Sequence, residues 1–257
     1  MEDKHYFTLK VLRGTPGKQY WEEFEIVRET GLNIISALME IQLNPINKKG
    51  EAVSSVVWEQ GCLEEVCGSC SMLINGRPRQ ACSAIVETIL KETNSHTITL
   101  APFTKFPLLR DLIVDRTVMF DNLIKVRGWI DADGTYPKGP GPKITPPIQE
   151  VMYSLSTCMT CGCCVEACPQ SNNRSKFVGP QIFSQVRLFN DNPTGKVHKG
   201  DRLRAVMEEG GIADCGNAQN CVRVCPKNIP LTESIALIGR EVNIQWFHDL
   251  FGLEDQS

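Results

Sequence analysis

Apolar and polar positions first organise the chain into strands. His5–Leu12 (HYFTLKVL) partly alternates, and Tyr20–Val27 (YWEEFEIV) is rich in aromatic and β-branched residues. Both read as strands, and the loop Arg13-Gly14-Thr15-Pro16-Gly17 between them predicts a hairpin. The period then changes. In Asn33–Leu43 (NIISALMEIQL) apolar side chains recur at 34, 35, 38 and 41, with Ala37 among them. That is the spacing of an amphipathic helix, with Asn33 as its cap and Asn44-Pro45 as its stop. Ser71–Ile74 is a short apolar run ahead of the turn pair Asn75-Gly76, and His96–Leu100 predicts another strand.

Residues 132–147 carry turn-forming pairs and five prolines, Pro137, Pro140, Pro142, Pro146 and Pro147, which reads as a linker. Beyond it the pattern is helical. Gln181–Phe189, Arg202–Glu209 and Thr232–Phe247 each place apolar residues three or four apart. The expected fold class is therefore α+β. A β-rich module occupies 1–105, a connecting segment and linker 106–147, and a helical module 148–257.

Composition narrows the function. The chain has 257 residues and a net charge of −3, so nothing in its charge suggests nucleic acid as a partner. No run of 18 apolar residues predicts a membrane span. The start, Met1-Glu2-Asp3-Lys4-His5, lacks the pattern of a secretion or import leader, and neither is expected.

The twelve cysteines change the picture most. Disulfide-dense frameworks belong to small secreted domains, so metal or redox chemistry is the expected use. Cys62-x4-Cys67-x2-Cys70, followed by Cys82, has the plant-type [2Fe–2S] spacing. Two irons need four thiolates, and the small residues Gly68 and Ser69 let one loop present three of them. The turn at Asn75-Gly76 sends the chain back toward the fourth. A structural zinc site is the competing reading, but zinc sites favour two close pairs, whereas here three cysteines bunch and one stands apart.

Cys158, Cys161, Cys164 and Cys168-Pro169 form the bacterial ferredoxin run, C-x2-C-x2-C-x3-C-P, in which the fourth cysteine serves the other cluster. The run Cys215, Ala218, Cys221, Cys225-Pro226 matches the same template with alanine at its second position. Cross-ligation assigns Cys158, Cys161, Cys164 and Cys225 to a [4Fe–4S] cluster. Cys168, Cys215 and Cys221 remain for the other. Alanine cannot bind iron, so three ligands favour [3Fe–4S]. Cys163 is left over and reads as a small buried residue.

No G-x-G-x-x-G or G-x-x-x-x-G-K-[ST] cradle, G-x-S-x-G elbow or H-E-x-x-H pair occurs. The histidines, His5, His96, His198 and His248, are scattered and read as surface or packing residues. No catalytic residue is expected. Three unlike clusters predict an electron relay between partners that carry out the bond chemistry.

The two modules together resemble the iron–sulfur subunits of succinate dehydrogenase and quinol:fumarate reductase over nearly the whole chain. The likeness is carried by the three cysteine groups with their gap at Ala218, by Asn75-Gly76-Arg77-Pro78, by 106–115 (FPLLRDLIVD) and by 220–227 (NCVRVCPK). It implies a β-grasp ferredoxin fold for the first module, docked on an FAD-containing catalytic subunit. The helical module is then an α-helical ferredoxin domain over a membrane-anchor cytochrome b subunit with haem b. Electrons would run from FAD through [2Fe–2S], [4Fe–4S] and [3Fe–4S] to quinone, serving the tricarboxylic acid cycle and respiratory chain, or in reverse for fumarate reduction. The alternative is an iron–sulfur subunit of another flavoprotein complex. The implied location is peripheral, on the cytoplasmic face of a bacterial cell membrane. Ubiquinone-using members carry tryptophans shortly after the Cys-Pro matched by Cys168-Pro169, where this chain has 170–174 (QSNNR), and a histidine where Gly216 stands. The departure favours menaquinone, with Pro169 the retained quinone-vicinity position.

Overall fold

The computed structural model describes residues 5–131, 142–172 and 174–252. The chain divides into two compact units, Met1–Arg116 with Met159–Ala167, and Thr117–Cys158 with Cys168–Ser257. The boundaries expected at 105 and 147 follow chain order alone, whereas contacts group 159–167 with the N-terminal residues.

In the first unit, β1 (Tyr6–Thr15) and β2 (Lys18–Val27) form the expected hairpin, with Tyr6 opposite Val27 and Thr15 opposite Lys18. The strands run further than the sequence predicts, because ladder hydrogen bonds continue through Arg13–Thr15 and leave Pro16-Gly17 as the turn. Helix α1 (Ile34–Leu43) starts at Asn33, whose Oδ1 accepts the Ser36 N–H at 2.9 Å. Such a cap contributes about 1 kcal/mol. Strands β3 (Ser71–Ile74) and β4 (Arg77–Gln80) make the second hairpin around Asn75 and Gly76, both at positive φ as a type I′ turn requires. Helix α2 (Val86–Thr93), strand β5 (Thr97–Ala101) and a small ribbon, β6 (Leu108–Arg110) with β7 (Ile113–Val114), follow.

The sheet order is β2-β1-β5-β3-β4, with β1 and β5 parallel. Phe7, Leu9 and Val11 of β1 and Phe24 of β2 share one core with Ile34 and Leu38 of α1. Each fully buried side chain of this kind contributes roughly 1.5–3 kcal/mol. A mixed sheet covered by a helix is the β-grasp arrangement the cysteine loop requires as a frame.

The second unit opens with α3 (Thr117–Lys125) and α4 (Pro146–Ser156). Pro146 and Pro147, read from sequence as linker, instead form the first turn of α4, where no intrahelical N–H is needed. Residues 132–141 of the expected linker lie outside the described residues. The single turn α5 (Cys163–Glu166) belongs to the first unit. Helices α6 (Pro180–Asp191), α7 (Lys199–Met207), α8 (Asn220–Arg223) and α9 (Leu231–Phe251) complete the second. Ile182, Phe183 and Val186 of α6 pack with Leu203 and Val206 of α7 and Ile238 of α9. Fully buried Arg202 gives its guanidinium to the carbonyls of Arg127 (2.9 Å), Trp129 (2.9 Å) and Gly195 (2.6 Å). Helices α2 and α3 were not expected from sequence. Each is short, and so few apolar positions do not separate a helix from a loop.

One buried charge cluster pins the first unit. Arg13, 1% exposed, pairs with Glu22 and Asp111 and donates to the Ser55 carbonyl at 2.9 Å. Asp111 also accepts the Gly14 N–H (2.7 Å) and the Val57 N–H (2.9 Å), which ties the long loop before Cys62 to the sheet. Removing one partner of a buried pair strands the other charge. R13A is expected to cost about 3–5 kcal/mol, read as a lowered urea midpoint. A loss under about 1 kcal/mol, typical of an exposed pair, would show that the cluster is not a pin.

Candidate metal centres

The first cysteine group lies on the loop before β3 and just after β4. Leu63 and Glu65 both take positive φ. This conformation turns successive N–H groups inward, so Cys62 Sγ accepts from Glu64 (3.4 Å), Val66 (3.2 Å) and Cys67 (3.3 Å). Cys67 Sγ in turn accepts the Cys62 N–H at 3.4 Å and lies 3.4 Å from Ser69 Oγ. The Cys62 N–H and the Ser69 groups stabilise the thiolate and lower the Cys67 pKa to about 6. The other two sulfurs are buried. The Ala81 N–H donates to the Cys70 carbonyl at 3.1 Å, which brings Cys82 beside Cys70. Burial pushes the Cys70 thiol up to about 12. The four thiols thus stand as two pairs, Cys62 with Cys67 and Cys70 with Cys82. Two sulfurs for each of two irons, with backbone donors aimed at them, is a donor set that fits [2Fe–2S].

The segment 159–167 lies against this loop. Gly68 (φ +75°) is where the two backbones meet, since a Cβ there would stand 2.9 Å from Met159 O and from Cys161 Cβ. Gly162 (φ +88°) is also tight, since a Cβ there would stand 3.1 Å from the Phe106 ring and 3.3 Å from Phe103. Arg116 donates to the carbonyls of Gly68 (2.8 Å) and Ser69 (3.3 Å) and to Glu59 (2.6 Å). Glu166, at the end of α5, accepts from the Thr104 N–H, the Thr104 hydroxyl and the Lys105 N–H at 2.7–3.0 Å. These contacts hold the turn that carries Cys161, Cys163 and Cys164. The Cys163 thiol donates to Cys161, lowering the Cys161 pKa to about 7, while donation and burial raise that of Cys163.

In the second unit, Cys168, Cys215 and Cys221 line one pocket, and Ala218 lines it with them. Asn217 and Gln219 take positive φ on either side of Ala218. Burial, with the neighbouring Cys168 and Cys215, pushes the Cys221 thiol up to about 11. Pro169 lines the same pocket, and so do Gln170 and Gly216. A Cβ at Gly216 would meet Gln170 Nε2 at 2.4 Å, so the glutamine fills the space beside position 216. Cys158 follows α4 and Cys225 follows α8, both half-buried. All twelve cysteines are free thiols. Among the described residues, no three His, Cys, Asp or Glu side chains surround a single-ion position.

Sequence reasoning did not find Arg116 or Glu166. Each acts on residues far along the chain, and no local spacing marks that role.

A β-grasp unit with paired cysteine sulfurs, and a helical unit with cysteines around a pocket, define an iron–sulfur electron carrier with two ferredoxin-type modules. The family model described as "2Fe-2S iron-sulfur cluster binding domain" matches residues 8–121, and that described as "4Fe-4S dicluster domain" matches 154–229. The chain is 56% identical to the succinate dehydrogenase iron-sulfur subunit of Bacillus subtilis, covering 91% of this chain and 90% of that one. It is 30% identical to the fumarate reductase iron-sulfur subunit of Wolinella succinogenes, covering 91% and 96%. Its fold matches a chain of the Mycobacterium smegmatis Sdh1 complex in the apo form, with TM-score 0.79, 21% identity and coverage of 95% and 98%. The chain belongs to the family of succinate dehydrogenase and fumarate reductase iron–sulfur subunits. It is an electron-relay subunit of an oxidoreductase complex.

The first group's thiols differ in readiness to react. At pH 7 a thiol with a pKa of about 6 is mostly thiolate, whereas one near 12 is almost wholly protonated. In the iron-free chain, iodoacetamide is expected to label Cys67 well before Cys70, read by mass mapping. Equal rates would contradict the backbone-donor geometry. Iron loading should protect both.

Proposed function

We propose that the chain passes electrons between the FAD of a succinate-oxidising subunit and membrane quinone, with menaquinone as the quinone. When bound, its clusters supply one-electron transfer between those two partners. Cys62, Cys67, Cys70 and Cys82 hold [2Fe–2S]. Cys158, Cys161, Cys164 and Cys225 hold [4Fe–4S]. Cys168, Cys215 and Cys221 hold [3Fe–4S]. The observation that carries the last assignment is the pocket in which those three cysteines face Ala218. A methyl group at the fourth corner cannot coordinate iron.

The quinone reading places Pro169 near the quinone. It is supported by Gln170 and Gly216, which stand where ubiquinone-using members carry other groups. Identity of 56% to a succinate dehydrogenase subunit supports succinate oxidation as the direction. No described helix is long and apolar enough to cross a membrane. We assign attachment at the cytoplasmic face of a bacterial membrane to a cytochrome b anchor subunit with haem b.

The test is A218C. A thiolate at that corner should convert [3Fe–4S] to [4Fe–4S]. The low-temperature paramagnetic signal of the oxidised three-iron centre should fall, and one further iron should bind per chain. An unchanged signal with unchanged iron content would show that position 218 is not the missing corner.

A further inference from the structure

Arg116 ends the N-terminal stretch of the first unit and touches two different cysteine runs at once. We propose that Arg116 is a positioning residue shared by the [2Fe–2S] and [4Fe–4S] centres. It clamps Gly68 and Ser69 of one run to Cys161 of the other, and its charge raises the reduction potential of both centres. The proposal deepens the relay reading and rests on Cys67, Cys70 and Cys161 being ligands.

The clamp uses both terminal nitrogens of the guanidinium. Nη1 donates to the Gly68 carbonyl at 2.8 Å and to the Cys161 carbonyl at 3.4 Å. Nη2 donates to Glu59 Oε2 at 2.6 Å and to the Ser69 carbonyl at 3.3 Å. Each of these nitrogens carries two hydrogens, so all four have an acceptor. Gly68 and Ser69 are the residues between Cys67 and Cys70, and Glu59 lies shortly before Cys62. The backbone that carries the arginine is fixed as well, because the Asp115 N–H donates to the Pro107 carbonyl at 2.8 Å. A lysine ammonium has the charge for this site but not the planar fork that reaches all four acceptors.

Charge decides the direction of the effect. The Arg116 side chain is 17% exposed and that of Glu59 43%, so water screens the carboxylate more than the guanidinium. A net positive field therefore acts on the ligand-bearing backbone. Reducing a cluster adds negative charge, which a nearby cation stabilises, so the reduction potential rises.

The experiment is potentiometric titration of all three centres in the assembled complex, with iron content measured alongside. R116M removes both charge and fork. It should shift the oxidised-to-reduced ratio at fixed potential about three- to tenfold toward oxidised in [2Fe–2S] and in [4Fe–4S], the scale of one charged hydrogen-bonding group partly offset by its partner. For a one-electron couple that is a fall of about 30–60 mV. The [3Fe–4S] centre should not move, since Arg116 bonds to none of Cys168, Cys215 and Cys221. R116K, which keeps the charge, should lie between R116M and the parent. E59Q keeps an oxygen acceptor for Arg116 but removes the opposing charge, so both potentials should rise. A merely structural role gives no such reversal of sign. Unchanged potentials in R116M with full iron, or a shift in one centre alone, would overturn the shared role and leave the ligand assignment standing. If R116M loses iron, E59Q decides, and no rise in either potential would overturn the proposal. A parent complex without a [4Fe–4S] signal would instead overturn the relay reading, and the proposal with it.

Discussion

Thiolate sulfur has to be gathered and hydrogen-bonded before it can hold iron, and the rest of this chain follows from that demand. Backbone N–H groups that point at Cys62 Sγ cannot also serve a helix or sheet ladder. The cysteine loops are therefore irregular, with left-handed residues such as Leu63, Glu65, Asn217 and Gln219 beside their sulfurs. Irregular loops have little stability of their own, so the frame must supply it. The β-grasp core does so for the first unit, and the packing of α6, α7 and α9 for the second.

Each unit anchors its connecting segments with a buried arginine. Arg13 binds Glu22, Asp111 and the Ser55 carbonyl. Arg202 collects three carbonyls from residues 127, 129 and 195. A guanidinium suits this work because its planar fork offers five donors in fixed directions and stays charged. Glu166 plays the reciprocal part, an acceptor that satisfies donors of Thr104 and Lys105 and so fixes the turn bearing the ferredoxin cysteines.

A relay subunit needs no substrate cleft of its own, and its chemistry is distributed over sulfur environments. In the first group, Cys67 is exposed and favoured as thiolate while Cys70 is buried and favoured as thiol. Binding iron must overcome the second and exploits the first. A similar contrast returns in Cys161, lowered chiefly by the Cys163 side chain, and Cys221, raised chiefly by burial. Cluster potentials depend on such hydrogen bonding and burial, so a family with one ligand pattern can work over a range of driving forces.

The sequence by itself determined the β-rich and helical modules, the first hairpin, α1 with its Asn33 cap and the presence of 2Fe-2S and 4Fe-4S ferredoxin-type domains. These are legible because they are local. Turn pairs, apolar periods and ligand spacing all act within a dozen or so residues. It did not reveal α2, α3 or the start of α4 at Pro146, where a short pattern or a proline pair admits more than one reading. Only the tertiary structure decided that 159–167 packs in the first unit, that Gly68 must lack a side chain to meet Cys161, and that Gln80 lies 3.6 Å from Cys163. Those contacts join residues more than 80 positions apart. Their energy comes from hydrogen bonds and packing that exist only once the sheet has brought both ends together.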